Sequence, residues 1–154
     1  MRGWGQPHGA RGPNPLSLQP VIENDDSMEV LVGVVRVLVV DDQEPFRNAM
    51  AAVVEVTDGF EVVGSVASGE ESLVAAEELR PDLVLMDVNL PGVDGLEATR
   101  LIRARADAPI VLLLSTYDED EFDHRSSGAA AYVPKGSFGP DRLVQEWAAA
   151  AAGR

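Results

Sequence analysis

The sequence predicts an α/β protein built on a parallel β-sheet, and three observations support this prediction. Strand-length apolar runs alternate with segments in which apolar residues recur every three or four positions, the pattern of successive βαβ units. With 154 residues, 45% of them hydrophobic, the chain has the size and composition of one domain with one core. Polar or charged residues directly follow several of the apolar runs, and parallel sheets bind ligands at the carboxyl ends of their strands.

Residues 1–29 are predicted to be a disordered tail, and residues 30–154 the folded domain. The tail is rich in Gly, Pro, Asn and Gln and shows no apolar periodicity. Four of its residues are prolines: Pro7, Pro13, Pro15 and Pro20. Such a segment buries too little apolar surface to offset the conformational entropy that it loses on ordering.

Five strands are predicted, one for each strand-length apolar run of the domain. They cover residues 36–40, 60–66, 83–87, 110–115 and 130–133. Between the first two strands, apolar residues at i, i+3, i+4, i+7 and i+8 predict an amphipathic helix that packs on the sheet. These residues are Phe46, Ala49, Met50, Val53 and Val54.

The second and third helices are predicted from their amino-terminal caps. Ser68 and Glu71 have capping-box spacing, and Pro81 ends the helix that they begin. Asp94 and Glu97 open the third helix in a similar way. The side chains expected to face inward are Leu73, Ala76 and Leu79 in the second helix, and Ala98, Leu101 and Ile102 in the third.

The last helix is predicted to begin at Pro140, because proline suits the first helical turn. The residues expected on its apolar side are Leu143, Val144, Trp147 and Ala148. Residues 118–128, which precede the fifth strand, contain Phe122 as their only large apolar residue, and their serines favour turns. This segment is therefore predicted to form at most one or two helical turns.

Composition narrows the chemistry that the chain can support. It has no cysteine, and its two histidines, His8 and His124, are isolated in the sequence, so any bound metal ion must have oxygen ligands. The net charge of −14 and the pI near 4.3 argue against direct binding to nucleic acid or to an anionic membrane. No apolar stretch reaches the roughly 20 residues that span a bilayer, and the amino terminus lacks a signal-peptide pattern, which predicts a cytoplasmic location.

Candidate functional residues follow four of the predicted strands. Asp41 and Asp42 come after the first strand, Asp87 ends the third, Ser115 ends the fourth and Lys135 follows the fifth. Because neighbouring parallel strands bring their carboxyl ends together, we expect these side chains to meet in one crevice. Carboxylates beside a hydroxyl and an ammonium group are suited to a phosphorylation site.

Four segments resemble the receiver domain of two-component response regulators, most closely the receivers of the NarL/FixJ type. They read RVLVVDDQE, DLVLMDVNLPGVDGLEATR, IVLLLSTYDEDE and GAAAYVPKG, and the resemblance extends over residues 36–150. It implies a flavodoxin-like doubly wound sandwich with strand order 2-1-3-4-5 and helices on both faces of the sheet. It also implies phosphorelay signal transduction, in which a sensor histidine kinase is the partner that supplies the phosphoryl group.

The resemblance gives each candidate residue a role. Asp87 matches the phosphoacceptor, whose carboxylate attacks the phosphorus and forms an acyl phosphate. Asp41 and Asp42 match the acidic pair that, together with Asp87 and the backbone carbonyl of Asn89, holds Mg²⁺ or Mn²⁺. In the family one acid of the pair, here Asp42, binds the metal ion directly, and the other acid binds it mostly through water.

Three further positions match residues that respond to the phosphoryl group. Ser115 matches the residue whose hydroxyl donates a hydrogen bond to a phosphoryl oxygen. Lys135 matches the lysine that pairs with the phosphoacceptor and then with the phosphoryl group. Tyr132 matches the aromatic residue whose rotamer reports phosphorylation, so Ser115 and Tyr132 form the implied switch. Gly136 departs from the family, which often has a proline in a cis peptide bond at this position.

The chain ends at Arg154, directly after the predicted last helix, which leaves no room in this sequence for the helix-turn-helix domain usual in NarL/FixJ regulators. We therefore expect a stand-alone receiver that signals through a partner protein, with self-phosphoryl transfer and autodephosphorylation as its only reactions. Three alternatives stay open: a truncated receiver of a DNA-binding regulator, an acidic interaction module without phosphorylation, and an enzyme resembling haloacid-dehalogenase phosphatases. The last requires a second acid two residues after the nucleophile, where this chain has Asn89.

Overall fold

The structure, a computed structural model, describes the backbone of residues 18–22, 29–116 and 124–153. The strands in these ranges are β1 (Leu18–Ile22), β2 (Glu29–Gly33), β3 (Val35–Val40), β4 (Phe60–Val66), β5 (Leu83–Asp87), β6 (Ile110–Ser115) and β7 (Ala131–Pro134). The helices are α1 (Glu44–Glu55), α2 (Gly69–Leu79), α3 (Gly95–Arg103) and α4 (Pro140–Ala152), with short 3₁₀ helices at His124–Ser127 and Lys135–Ser137. None of the helices in this part of the chain has the length and apolar character needed to cross a bilayer.

Five strands form one parallel sheet in the order β4-β3-β5-β6-β7, which is 2-1-3-4-5 when the strands of this sheet alone are numbered. Parallel neighbours require crossover connections, and α1, α2 and α3 supply three of them. The strand order and the helices on both faces confirm the predicted flavodoxin-like fold. The predicted bounds of β4, β5 and β6 agree with the structure at both ends.

The parallel sheet is buried on both faces, with one hydrophobic cluster on each side. Along β5, Leu83 and Leu85 pack toward α1 and α4, whereas Val84 and Met86 pack toward α2 and α3. All four side chains are fully shielded from solvent. Burial on both faces explains why the strands read as unbroken apolar runs rather than as alternating polar and apolar residues.

Side-chain caps begin α2 and α3 as predicted. The Ser68 hydroxyl oxygen accepts a hydrogen bond from the Glu71 amide at 3.1 Å, and the Asp94 carboxylate accepts one from the Glu97 amide at 2.8 Å. These bonds satisfy amides that have no partner within the helix itself. Pro140 is the first residue of α4, also as predicted.

The predicted buried faces of the helices are wrong at several positions. Side chains expected to face the sheet are instead exposed: Phe46, Ala49, Leu101, Val144 and Ala148. In α3 the buried stripe contains Ala98, Thr99 and Ile102. Leu101 lies about 100° around the helix axis from Ile102, so the same sheet cannot cover both. Because apolar residues occur on adjacent sides of these helices, the sequence did not show which side the sheet buries.

The prediction of a disordered tail is wrong for residues 18–22 and 29. β1 and β2 pair along their whole length as a two-stranded antiparallel sheet. Proline argues against a central strand, but each strand of a two-stranded sheet is an edge strand, where Pro20 is tolerated. The valines and isoleucine of these strands add β-propensity. Residues 1–17 and 23–28 lie outside the described residues.

The weakly apolar segment 118–128 is described only at its end. His124–Ser127 forms a four-residue 3₁₀ helix, and Gly128 follows with a φ of +90°, a left-handed conformation that glycine adopts without strain. At this end of the segment, the single 3₁₀ turn agrees with the prediction of at most one or two helical turns. Residues 117–123 lie outside the described residues.

Candidate functional site

The strand-end residues predicted from the sequence lie at the carboxyl edge of the parallel sheet. The strand register sets the ends of β3, β5, β6 and β7 level with one another. Carboxylate oxygens of Asp41, Asp42 and Asp87 lie within 4.8 Å of one another, and the Lys135 ammonium contacts two of these acids. Ser115 ends β6 at the same edge. The structure therefore brings the four charged residues of the predicted site together and places Ser115 at the same edge.

Asp41 is held in place by contacts to both carboxylate oxygens. Its side chain is fully buried; Oδ1 accepts a hydrogen bond from the Gln43 amide at 2.9 Å, and Oδ2 lies 2.8 Å from Lys135 Nζ. The Arg47 guanidinium donates a hydrogen bond to the Asp41 backbone carbonyl at 2.8 Å. The next residue, Asp42, is exposed, so its side chain is accessible to an ion arriving from solvent.

Asp87 is a buried carboxylate whose charge is only partly compensated. Its Oδ1 atom accepts a hydrogen bond from the Asn89 amide at 3.3 Å and lies 3.4 Å from Lys135 Nζ. Burial, followed by repulsion from Asp41, raises the pKa of Asp87 from 3.8 to about 6, against the opposing effects of Lys135 and the Asn89 amide. The group is therefore mostly ionised at neutral pH, although the folded state disfavours its charge.

Lys135 supplies the ammonium group that contacts Asp41 and Asp87. It follows β7 as the first residue of a 3₁₀ helix, and only 11% of its side chain is exposed. Its ammonium group lies closer to Asp41, at 2.8 Å, than to Asp87, at 3.4 Å, whereas the family resemblance implies pairing with the phosphoacceptor. No cis peptide bond occurs among the described residues, so the bond between Lys135 and Gly136 is trans.

Two residues of this edge were not predicted from the sequence: Phe46 and Arg47, in the first turn of α1. The Phe46 ring centroid lies 4.0 Å from Lys135 Nζ, and Arg47 holds the Asp41 carbonyl. Helical periodicity predicted that Phe46 packs on the sheet, and it gave Arg47 no role. Their position in the sequence could have identified them. A helix that begins three residues after Asp41 starts at the same edge of the sheet, so its first residues lie near the site.

Ser115 and Tyr132 are both buried. Ser115 is fully shielded from solvent at the end of β6, and Tyr132 is 5% exposed within β7. Tyr132 belongs to the hydrophobic cluster on the side of α2 and α3. The sheet thus places Ser115 at the edge where Asp87 lies, while the roles of Ser115 and Tyr132 as a switch pair stay predictions.

The loop after Asp87 is fixed by the first residues of α2 and α3. The Glu70 carboxylate accepts a hydrogen bond from the Val93 amide at 3.2 Å. A Cβ atom on Gly95 would lie only 2.0 Å from the Asp87 carbonyl oxygen, so this close approach requires glycine. The same loop carries Asn89, whose backbone carbonyl is the remaining predicted metal ligand.

The acidic cluster has the chemistry of a divalent-cation site. Three carboxylates whose oxygens lie within 4.8 Å of one another repel, and a bound cation relieves that repulsion. Mg²⁺ and Mn²⁺ prefer oxygen ligands, and carboxylates are among those that proteins offer them. The residues present therefore fit a divalent cation with Asp42 on the solvent side.

We expect millimolar Mg²⁺ to stabilise the domain, because the ion binds carboxylates that come together only in the folded state. At a few times its dissociation constant the gain is about 1 kcal/mol. Asp42→Asn should lose most of this gain, whereas Asp58→Asn, in the exposed turn after the carboxyl end of α1, should keep it. Urea unfolding with and without MgCl₂ measures the difference. An equal response of the two variants would contradict a site at Asp42.

Fold and site together define a class of protein: a flavodoxin-like domain with an acidic, lysine-bearing pocket at the carboxyl edge of its sheet. A family model described as the response regulator receiver domain matches residues 37–148. The chain therefore belongs to the family of response regulator receiver domains. Membership confirms the family that the four sequence segments resemble.

Two curated relatives illustrate the similarity. Response regulator GacA of Pseudomonas viridiflava is 47% identical over 114 residues, which cover 72% of this chain and 52% of that protein. Transcriptional regulatory protein LiaR of Bacillus subtilis is 40% identical over 105 residues, which cover 67% of this chain and 50% of that protein. The chain thus spans about half the length of the curated relatives it matches.

Solved structures agree with the NarL/FixJ-like assignment. A two-component response regulator of the LuxR family from Aurantimonas sp. SI85-9A1 is similar with a TM-score of 0.71 and 35% identity, over 79% of this chain and 88% of that one. The signal receiver domain of the putative response regulator NarL from Mycobacterium tuberculosis is similar with a TM-score of 0.71 and 30% identity, over 79% of this chain and 98% of that one.

Proposed function

We propose that this receiver accepts a phosphoryl group on Asp87 from the phosphohistidine of a sensor histidine kinase. The observation that carries the proposal is the setting of the Asp87 carboxylate. It is buried, it lies 3.4 Å from the Lys135 ammonium, and oxygens of Asp41 and Asp42 are within 4.8 Å. Membership of the receiver family adds support, since response regulators pair with sensor histidine kinases.

In the proposed transfer, an ionised Asp87 oxygen forms a bond to phosphorus while the bond from phosphorus to the histidine nitrogen breaks. The electron pair of the broken bond stays on the imidazole, and Asp87 becomes an acyl phosphate. A pKa of about 6 leaves Asp87 largely ionised at neutral pH. The Lys135 ammonium offsets the charge of the phosphoryl oxygens, and the Ser115 hydroxyl donates a hydrogen bond to one of them.

A divalent cation, Mg²⁺ or Mn²⁺, belongs to the same proposal. Asp42, Asp87 and the backbone carbonyl of Asn89 would hold it directly, and Asp41 through water. When bound, the cation offsets the negative charge of the carboxylates and of the phosphoryl group. Hydrolysis of the acyl phosphate returns Asp87 to its starting state, so self-phosphoryl transfer and autodephosphorylation are the only reactions that we propose.

The output that we propose is binding to a partner protein in the cytoplasm, with Ser115 and Tyr132 as the residues that change with phosphorylation. A net charge of −14 supports a protein partner over nucleic acid, because it repels phosphate groups.

A second candidate function is that of the receiver part of a longer DNA-binding regulator. It is favoured by the length of relatives such as LiaR, of which this chain covers 50%. Immunoblotting of native cells distinguishes the two, since a stand-alone receiver gives a band near 16.4 kDa.

The proposed phosphorylation is tested with acetyl phosphate and MgCl₂, followed by intact mass measurement and mapping of the modified residue. The wild-type protein should gain one phosphoryl group on Asp87, and Asp87→Asn should gain none. Asp58→Asn removes an exposed aspartate away from the acidic cluster and should be labelled as the wild type is. Transfer from an autophosphorylated sensor histidine kinase tests the donor. Full labelling of Asp87→Asn at another residue would refute the assignment.

A further inference from the structure

The Phe46 ring covers the Lys135 ammonium from the side of α1. Its centroid lies 4.0 Å from Lys135 Nζ, within the range of an attractive cation–π contact. Phe46 itself is 39% exposed, whereas the Lys135 side chain is only 11% exposed. The ring therefore stands at the rim of the site and shields the ammonium group.

Within the described part of the chain, three groups contact the Lys135 ammonium, each from a different residue. Asp41 Oδ2 lies at 2.8 Å, Asp87 Oδ1 at 3.4 Å, and the negative face of the Phe46 ring supplies the third contact. Lysine is a compact charge on a flexible four-carbon stem, so such contacts, and not its own stiffness, determine where the charge lies.

We propose that Phe46 is a positioning residue, which keeps the Lys135 ammonium within reach of Asp87 during phosphoryl transfer. The proposal rests on the phosphoacceptor function proposed for Asp87. Without the ring, the shorter ion pair with Asp41 and the surrounding water compete for the ammonium, and Asp87 loses its only cationic partner among the described residues.

Arg47, the neighbour of Phe46, explains how α1 achieves this placement. Its guanidinium donates a hydrogen bond to the backbone carbonyl of Asp41 at 2.8 Å. The first turn of α1 is thereby tied to the end of β3, where the acidic pair begins. The ring of Phe46 is consequently fixed relative to the carboxylates between which Lys135 lies.

The test compares variants of Phe46 in the rate of labelling by acetyl phosphate at saturating MgCl₂. Phe46→Leu keeps an apolar side chain but removes the aromatic ring, and it should slow labelling about fivefold, the equivalent of about 1 kcal/mol. Phe46→Tyr and Phe46→Trp keep the ring and should label within about twofold of the wild type. Equal rates for Phe46→Leu and the wild type, or failure of both aromatic variants to rescue, would overturn the proposal.

A double-mutant cycle separates positioning from a general structural role. In a Lys135→Gln background, Phe46→Leu should cause no further loss of labelling rate, because the group that the ring positions is gone. If Phe46→Leu slows labelling as much in that background as alone, the ring acts independently of Lys135 and the proposal is refuted.

An NMR measurement tests the contact independently of phosphorylation. The ε-methylene protons of Lys135 next to the ring should show an upfield ring-current shift that Phe46→Leu abolishes and Phe46→Tyr retains. A wild-type protein that is not labelled but shows this shift would refute the phosphoacceptor function of Asp87 and leave the contact intact. Absence of the shift in a protein that is labelled normally would refute the positioning role alone.

Discussion

Without metal, Asp87→Asn should be more stable than the wild-type protein by roughly 3 kcal/mol at about pH 8. The pKa of Asp87 is raised from 3.8 to about 6, chiefly by burial and then by Asp41, so ionising this group costs free energy in the folded state. Asparagine has similar shape and no charge. Lys135 keeps its shorter ion pair with Asp41 in the variant, so the substitution leaves no unpaired ammonium.

The stability advantage of Asp87→Asn over the wild-type protein should grow as the pH rises from about 4 to about 8. An acid whose pKa is higher in the folded state binds its proton more tightly there, so protonated Asp87 favours folding below about pH 4. That contribution is lost as the pH rises through about 6, where the folded wild-type protein ionises. Urea unfolding in EDTA at several pH values measures the difference, with Asp58→Asn as the control. A variant less stable than the wild type at about pH 8 would contradict the raised pKa.

Gly95→Ala should lower the free energy of unfolding by about 3 kcal/mol or more. The added Cβ atom would lie 2.0 Å from the Asp87 carbonyl oxygen and 2.8 Å from Val88 Cα, and both are backbone atoms that cannot rotate away. The start of α3 must therefore move away from the end of β5. We expect slower labelling of Asp87 as well, because the backbone atoms that the new Cβ atom would clash with belong to the phosphoacceptor residue and its neighbour, Val88.

Gly153→Ala is the matched control for this substitution. The nearest heavy atom to a Cβ atom on Gly153 lies at 3.7 Å, an ordinary contact, so the unfolding free energy should change by no more than about 0.5 kcal/mol. Thermal or urea unfolding of both variants gives the comparison. Similar stabilities for the two would show that the clash at Gly95 is relieved at little cost.

The parts of the fold that were predictable from the sequence are those fixed by burial on two sides. The bounds of β4, β5 and β6 were correct because apolar runs of strand length end abruptly at polar or turn residues. The acidic cluster was predictable for a related reason. In a parallel sheet the carboxyl ends of neighbouring strands lie at one edge, so the residues at these ends are close together.

The sequence does not determine which apolar side chains of a helix are buried, whether a proline-containing segment pairs as a strand, or which acid lies closer to Lys135. Leu101 and Val144 lie beside equally apolar neighbours, and only the final orientation of each helix decides which side chains the sheet covers. The pairing of β1 with β2 was missed because Pro20 argues against a strand, although an edge strand such as β1 tolerates proline. The Lys135 ammonium lies 2.8 Å from Asp41 and 3.4 Å from Asp87. The spacing of these residues in the sequence cannot predict so small a difference.

The acidic cluster carries more negative charge than its cationic neighbours offset. Among the described residues, the three acids have two cationic neighbours, the Lys135 ammonium and the Arg47 guanidinium, which binds the Asp41 carbonyl. At the same distance, a divalent cation attracts a carboxylate twice as strongly as a monovalent cation does, because the Coulomb energy is proportional to the charge. Ion valence therefore favours Mg²⁺ or Mn²⁺ over K⁺, before the size of the ion or the geometry of its ligands contributes.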